Sequence, residues 1–131
     1  MNATFREIDI ETDLTSLIHN RGALHASNDG KSFLLISGAG QSPVTVAVDG
    51  DIVRIRAGFG IRANVGSDTP HDNQSVTEVV EAILSGTAEE FFDVNSRGEM
   101  DVVGWRLWYP RGERAGGART PEALPVPLLP W

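Results

Sequence analysis

Apolar and polar residues alternate with a period of two through the middle of the chain, and this alternation is typical of half-buried β-strands. The segments VTVAV and IVRIRA are joined by an Asp-Gly turn at residues 48–51, a combination that favours a β-hairpin. The register of that turn predicts that Val46 pairs with Val53 and that Val44 pairs with Ile55. One face of the hairpin is then apolar throughout and belongs in the core: Val44, Val46, Val48, Val53, Ile55 and Ala57.

Further hairpins follow from the same kind of pattern. An Asp-Gly step within residues 28–30 separates ALHAS from KSFLLIS and sets Ala26 opposite Phe33. AEEFFDV and EMDVVGWRLWYP flank another turn at residues 95–98, and Trp105 shares one face of the later strand with other large apolar residues. TFREIDI, near the N-terminus, is a candidate for one more short strand. We therefore expect a bent, hairpin-rich antiparallel β-sheet of about six to seven strands.

The stretch AGFGIRA, residues 57–63, fits the spacing G-x-G-x-x-[G/A] of a phosphate-binding turn. A dinucleotide-binding turn ends a strand and opens a helix, but here the odd positions stay apolar as far as Val65 and a turn-forming segment follows. We therefore interpret the glycines as strand residues and expect the strand to bend at Gly58–Gly60. This interpretation predicts that Phe59 and Ile61 are buried.

Helical periodicity occurs in two segments. Thr12 or Asp13 caps a helix whose apolar residues recur at i, i+3 and i+4 and which ends near Gly22. Ser75–Glu78 forms a capping box before an apolar stripe, and that second helix stops at Gly86. The predicted fold class is α+β, with the two α-helices packed on the sheet.

From Arg111 onward the chain is rich in proline and glycine and has no periodicity. We divide it into a single α+β domain at 1–110 and an extended Pro-rich C-terminal tail at 111–131. The prolines exclude a helix or a central strand there, yet the last residues are too apolar for a solvent-exposed linker. We expect the tail to pack weakly on its own sheet, near Trp105 or Trp108, or to mediate self-association with a second copy.

The sequence holds little catalytic chemistry. It has no cysteine, and no two of the histidines His19, His25 and His71 have the spacing of a helical metal site. The pair His71 and Asp72 is the nearest approach to an acid–base pair. We predict no cofactor, no metal and no catalytic residue. No long apolar segment and no signal-peptide core are present, which favours a cytoplasmic protein without membrane contact.

The formal net charge is -7, and binding to nucleic acid relies on Lys and Arg, so we expect no nucleic-acid partner. The charge is unevenly spread, with arginines on one face of the central strand and acidic residues gathered between Glu78 and Asp101. The arginines either bind a carboxylate-rich partner or pair with the protein's own acids, and the sequence leaves both open. The candidate partner-binding residues are Arg54, Arg56, Arg62, Glu89, Glu90, Asp93, Asp101 and Trp108.

The order of a helix, a hairpin containing VTVAVDGDIVRIRAG and then SVTEVVEAILSGTAEEF, over residues 12–92, resembles small actinobacterial immunity-type proteins. That resemblance implies a non-catalytic inhibitor that neutralises a partner toxin by stoichiometric binding. The leading hypothesis is therefore a protein-binding module. The alternative is a small-molecule-binding protein or an enzyme with a pocket inside the bent sheet, near Phe59, Ile61 and Trp105. A flat charged patch favours the first, and a convergent polar pocket containing His25 or His71 favours the second.

Overall fold

The computed structural model describes residues 5–66 and 70–131, and side chains within 9–66 and 74–131. The elements in chain order are α1 Phe5–Ile18, β1 Gly22–Ala26, β2 Ser32–Ser37, β3 Val44–Asp49, β4 Ile52–Ala57, β5 Ile61–Gly66, α2 Pro70–Leu84, β6 Ala88–Val94, β7 Met100–Tyr109, β8 Gly112–Gly117 and β9 Leu124–Pro127. The strands form a five-stranded sheet in the order β1-β2-β3-β4-β5 and a four-stranded sheet in the order β8-β7-β6-β9. The α+β class with two helices and antiparallel pairing is confirmed, but the described residues form nine strands in two sheets rather than six to seven in one.

The inner face of the five-stranded sheet packs against both helices and forms the core. Ile10, Leu14 and Ile18 recur every four residues along α1 and are all buried, and α2 presents a comparable apolar stripe. The buried strand residues that share this core cluster with the helices are Phe33, Leu35, Val44, Val46, Val48, Val53, Ile55, Ala57, Ile61, Ala63 and Val65. The outer face of this sheet carries the polar half of the alternation and is exposed along β4 and β5.

The hairpin of β3 and β4 differs from the predicted register. Val46 pairs with Ile55 and Val48 pairs with Val53, so the predicted pairing was wrong. The turn lies at Gly50–Asp51, and its glycine has a φ of 63°. Because the register differs by two residues, every side chain keeps its face, and the predicted apolar set is buried. The register predicted for the hairpin of β1 and β2 is confirmed.

The chain does not continue as one bent strand through Gly58–Gly60. It reverses direction there, because Ala57 pairs with Ile61 and the three residues between them form a turn. Ile61 lies on the same face as Ala57, its pairing partner. Because three residues separate the two, the odd-numbered positions stay on the inner face both before and after the turn. Ile61 is buried as predicted, but the prediction for Phe59 was wrong: its side chain lies at the turn and is 82% exposed.

Both helices begin earlier than predicted. The candidate strand TFREIDI is helical from Phe5, because its last apolar residue extends the stripe of α1 instead of alternating across a strand. α2 begins at Pro70, which suits a first helical turn because an N–H group there would have no partner in the helix. The predicted end at Gly86 is confirmed: this glycine has a φ of 76°, and Thr87 N–H donates to Ala82 O at 2.9 Å. Neither described helix is long and apolar enough to cross a membrane.

Residues 111–131, predicted as an extended tail, supply two strands of the second sheet. β8 pairs with β7, where it lies beside Trp105 and Trp108, and β9 pairs with β6. The prolines therefore did not exclude strand structure here. β9 is an edge strand, and an edge strand tolerates proline. The segment packs on its own sheet, and self-association through it stays a prediction.

The last residues are held by backbone hydrogen bonds to the core elements. Leu128 N–H donates to Ala88 O at 2.9 Å, and Trp131 N–H donates to Leu84 O at 2.8 Å. The side chains of Leu128 and Trp131 pack against the core cluster. The C-terminal segment therefore closes one side of the molecule next to the end of α2.

Candidate functional site

The three arginines predicted to share a face do so on the outer side of the β4–β5 hairpin. Arg56 lies directly opposite Arg62, and Arg54 lies opposite Asn64. Arg54 Nη2 forms an ion pair with Asp49 Oδ2 at 2.9 Å, whereas Arg56 and Arg62 form no ion pair with any residue that the structure describes. All three side chains are exposed. We call Arg54, Arg56 and Arg62 the arginine strip.

The arginine strip shares its sheet face with partly exposed apolar residues. Ile36 and Ile52 are 41% and 39% exposed. A shallow hollow of about 230 Å³ lies beside the strip, lined in part by Arg56, Arg62 and the turn at Gly58–Gly60. Apolar surface with arginine at its border is the composition typical of a protein interface.

Arg114 is a cation near the strip that the sequence reasoning missed. Its Nη1 lies 3.5 Å from the carbonyl oxygen of Asn64, and its Nε is buried without a hydrogen-bond partner among the described residues. The residue lies in β8, a segment whose composition resembles a tail. Only its pairing with Leu107 in β7 brings it beside β5, so no local sequence pattern could have found it.

The acidic candidates on β6 point in different directions, because neighbouring residues of a strand face opposite sides. Glu89 Oε1 is 3.8 Å from Arg106 Nη1. Glu90 is only 3% exposed, so it does not share an exposed surface with Glu89. Trp108 is half-buried on β7, and Arg106 Cζ lies 5.1 Å from the centroid of its ring.

The remaining two acidic candidates have hydrogen-bond partners within the protein. Asp93 and Asp101 lie opposite each other across β6 and β7. The Thr120 hydroxyl donates to Asp93, and this bond, followed by that from Val94 N–H, lowers the pKa of the Asp93 carboxyl. Asn95 Nδ2 donates to Asp101 Oδ2 at 3.0 Å. The acidic candidates therefore do not form one surface comparable to the arginine strip.

Glu90 holds the turn of the β4–β5 hairpin from the inner side. Its Oε2 accepts hydrogen bonds from Phe59 N at 3.0 Å and Gly60 N at 2.7 Å, and its Oε1 lies 3.2 Å from Phe59 N. Gly58 has a φ of 58°, and a Cβ atom at this position would lie 2.5 Å from Glu90 Oε1. The close approach of backbone to carboxylate therefore depends on glycine at position 58.

Glu90 also lines a cleft of about 300 Å³ behind the turn. On one side the rings of Phe59 and Phe92 meet edge to face, with centroids 5.8 Å apart. The other side is formed by the C-terminal segment, including Leu128 and Trp131. The polar side chains in the lining are Gln41, Ser42 and Glu90. A pocket near Phe59 is predicted from the sequence, but Glu90 and the C-terminal wall are not, since both depend on the pairing of β6 with β9.

The histidines do not supply chemistry to this cleft in the described part of the chain. His19 follows α1 and His25 lies in β1, and both are exposed. The side chain of His71 lies outside the described residues, so the prediction that the three histidines do not converge stays a prediction. Among the side chains described within 9–66 and 74–131, the structure shows no group of three or more His, Cys, Asp or Glu residues that could hold a metal ion.

Comparisons with family models, with curated proteins and with solved structures gave no match for this chain. Its class is therefore defined by its fold and its two sites. Its described residues form an α+β fold of two helices and two sheets with a cationic outer sheet face and, on the inner side of the same hairpin, a cleft with a buried carboxylate. The resemblance to immunity-type proteins stays a prediction.

Proposed function

We propose that this protein is a non-catalytic binding module that docks another protein through the arginine strip. The exposed pair of Arg56 and Arg62 supports this most strongly. Like charges directly opposite each other in an antiparallel pair destabilise a sheet, and no described residue forms an ion pair with either one. A partner carboxylate placed between the two guanidinium groups relieves that repulsion and forms charge-assisted hydrogen bonds.

The surroundings of the strip favour a carboxylate-bearing protein over nucleic acid. The chain carries a formal net charge of -7, so its overall field repels any polyanion, and only local contacts at the strip can select the partner. The strip offers three arginines, one of them already paired with Asp49, and this is too few for the multiple phosphate contacts of general nucleic-acid binding. Ile36 and Ile52 on the same face provide apolar area that a protein interface uses and a phosphate backbone does not.

The finer form of this proposal follows from the immunity-type resemblance. In that form the partner is a toxin, and one copy of this chain neutralises one copy of the toxin by covering its surface. Such inhibition needs affinity and stoichiometric binding, and it needs no catalytic residue in this chain.

Fluorescence anisotropy with a labelled peptide of alternating Glu and Leu residues tests the binding mode. We expect the unaltered protein to bind this peptide, with an affinity that falls as salt rises, because salt screens exposed charges. Arg56→Glu should weaken binding at least about tenfold, equivalent to about 1.4 kcal/mol. The matched control is Arg97→Glu, which makes the same charge change at an exposed position in the β6–β7 turn and should leave binding within about twofold.

Three results would contradict the proposal. The first is no binding of the acidic peptide by the unaltered protein. The second is an equal loss of affinity in Arg56→Glu and Arg97→Glu, which would show a net-charge effect without a site. The third is tighter binding of a thymidine oligonucleotide of equal charge, which would favour nucleic acid over protein.

A further inference from the structure

Glu90 places a buried acidic group at the cleft without a cation beside it. Its side chain is 3% exposed, and among the described residues no Lys, Arg or His forms an ion pair with it. Both carboxyl oxygens accept hydrogen bonds from backbone N–H groups. Burial of a charged carboxylate costs free energy unless the charge is paired and hydrogen-bonded. A cation bound beside Glu90 would therefore be stabilised by the protein.

The hydrogen bonds to Glu90 leave acceptor capacity unused. A carboxylate offers about four acceptor positions, and among the described residues the donors to Glu90 are the two N–H groups of Phe59 and Gly60. Oε1 has only the longer contact, 3.2 Å from Phe59 N. Because Glu90 lines the cleft, a donor inside the cleft has access to this remaining capacity. An ammonium group matches it in both charge and hydrogen-bond donors.

The walls of the cleft define the rest of the ligand. Phe59 and Phe92 form an aromatic side, and aromatic faces attract cations as well as apolar groups. Leu128 and Trp131 contribute apolar area from the opposite side. The volume of about 300 Å³ is at the lower end for ligand sites, which typically have about 300–1,000 Å³, and so suits a small molecule or a single side chain.

We infer that this cleft binds a primary ammonium group on an apolar or aromatic body, with the ammonium at Glu90 Oε1 and the body between the Phe59–Phe92 side and the C-terminal side. The inference goes beyond the proposed function and does not depend on the arginine strip. A free amine and the lysine side chain of a partner protein carry the same chemistry. The experiment below separates these two sources.

Titration of ¹⁵N-labelled protein with 2-phenylethylamine, followed by NMR, tests the inference directly. We expect saturable shifts of the amide signals of Phe59 and Gly60, which donate to Glu90. The neutral analogue 2-phenylethanol has the same body and should bind at least about tenfold more weakly. An N-acetylated Gly-Lys-Gly amide forms the second arm: tighter binding than the free amine assigns the site to a protein lysine, and weaker binding assigns it to a small amine.

Substitutions on β6 supply a matched pair. Glu90→Gln keeps an acceptor for the turn but removes the charge, and should weaken amine binding at least about tenfold. Glu89→Gln makes the same charge change on the opposite face of the strand and should leave binding unchanged. If Glu90→Gln does not fold, the comparison of amine and alcohol on the unaltered protein decides the question. The inference is overturned if the amine does not bind, if the alcohol binds equally well, or if Glu89→Gln loses as much affinity as Glu90→Gln.

Discussion

Replacing Gly58 by alanine tests whether the Glu90 carboxylate and the turn of the β4–β5 hairpin are fitted to each other. Gly50→Ala is the matched control, because Gly50 also lies in a hairpin turn and its φ of 63° is close to the 58° of Gly58. Both substitutions force alanine into the left-handed region, at a cost of roughly 1–2 kcal/mol each. The backbone contribution therefore cancels when the two variants are compared.

Only the substitution at Gly58 adds a collision. The new Cβ would lie 2.5 Å from Glu90 Oε1 and 2.9 Å from Glu90 Cδ, whereas at Gly50 it meets no atom within 4 Å. The carboxylate must withdraw, and each hydrogen bond to a charged group contributes about 1.5–3 kcal/mol. With one of its two donors lost, we expect Gly58→Ala to lower the free energy of unfolding by about 2 kcal/mol more than Gly50→Ala does.

Urea unfolding followed by tryptophan fluorescence measures this difference. At a slope of about 2 kcal/mol/M, an extra 2 kcal/mol moves the midpoint by about 1 M. In a Glu90→Ala background the carboxylate is gone, so Gly58→Ala should then cost no more than Gly50→Ala. Equal midpoints for the two single variants, or full additivity of Gly58→Ala with Glu90→Ala, would refute the reasoning.

Two further predictions concern other parts of the fold. The hydrogen bond from the Arg21 guanidinium lowers the pKa of the Glu81 carboxyl, so its stabilising contribution is present above pH 4.5 and is lost as the pH falls through the lowered pKa. Acid unfolding curves of Arg21→Met should lack this part of the pH dependence, an effect below about 1 kcal/mol because Glu81 is 41% exposed. Leu128 directly follows β9 and its N–H points to β6, so the alternate positions Pro125 and Pro127 of β9 face the free edge and present no N–H group there. Replacing both with valine should cause concentration-dependent self-association in analytical ultracentrifugation, and the same change at Pro121 should not.

The five-stranded sheet could be predicted from local sequence because burial, strand alternation and turn residues agree there. The alternate apolar residues of β3, β4 and β5 occupy the inner face even though the register of one hairpin and the path of the chain at Gly58–Gly60 were both misjudged. The reason is parity. A register difference of two residues, or a reversal through a three-residue turn, leaves every side chain on the same face. Periodicity alone therefore cannot distinguish a long strand from two paired ones.

The candidate site was only partly accessible from sequence because it depends on contacts between distant segments. The arginine strip follows from alternation within one hairpin and was predicted. In the sequence AEEFFDV, nothing distinguishes Glu90 from an exposed acidic residue. Its burial results from the position of β6 between β7 and β9 and from the contact with the turn at Phe59. The glycines at 58 and 60 were the available signal, since glycine in a strand pattern marks a close backbone approach, but nothing local identified the group that approaches.

The β4–β5 hairpin separates the charges of the two sites, and this makes the two proposals independently testable. Arg56 and Arg62 project from the outer face near its end, while Glu90 contacts the backbone of the same turn from the inner side. Arg56→Glu should therefore leave 2-phenylethylamine binding intact, and Glu90→Gln should leave acidic-peptide binding intact. A variant that abolished both would indicate that the turn itself had moved, because the backbone of Phe59 and Gly60 is the structure that the two sites share. If a variant loses only peptide binding or only amine binding, the lost binding is assigned to the face of the hairpin that carries the substitution. The other proposal is then tested by its own binding measurement.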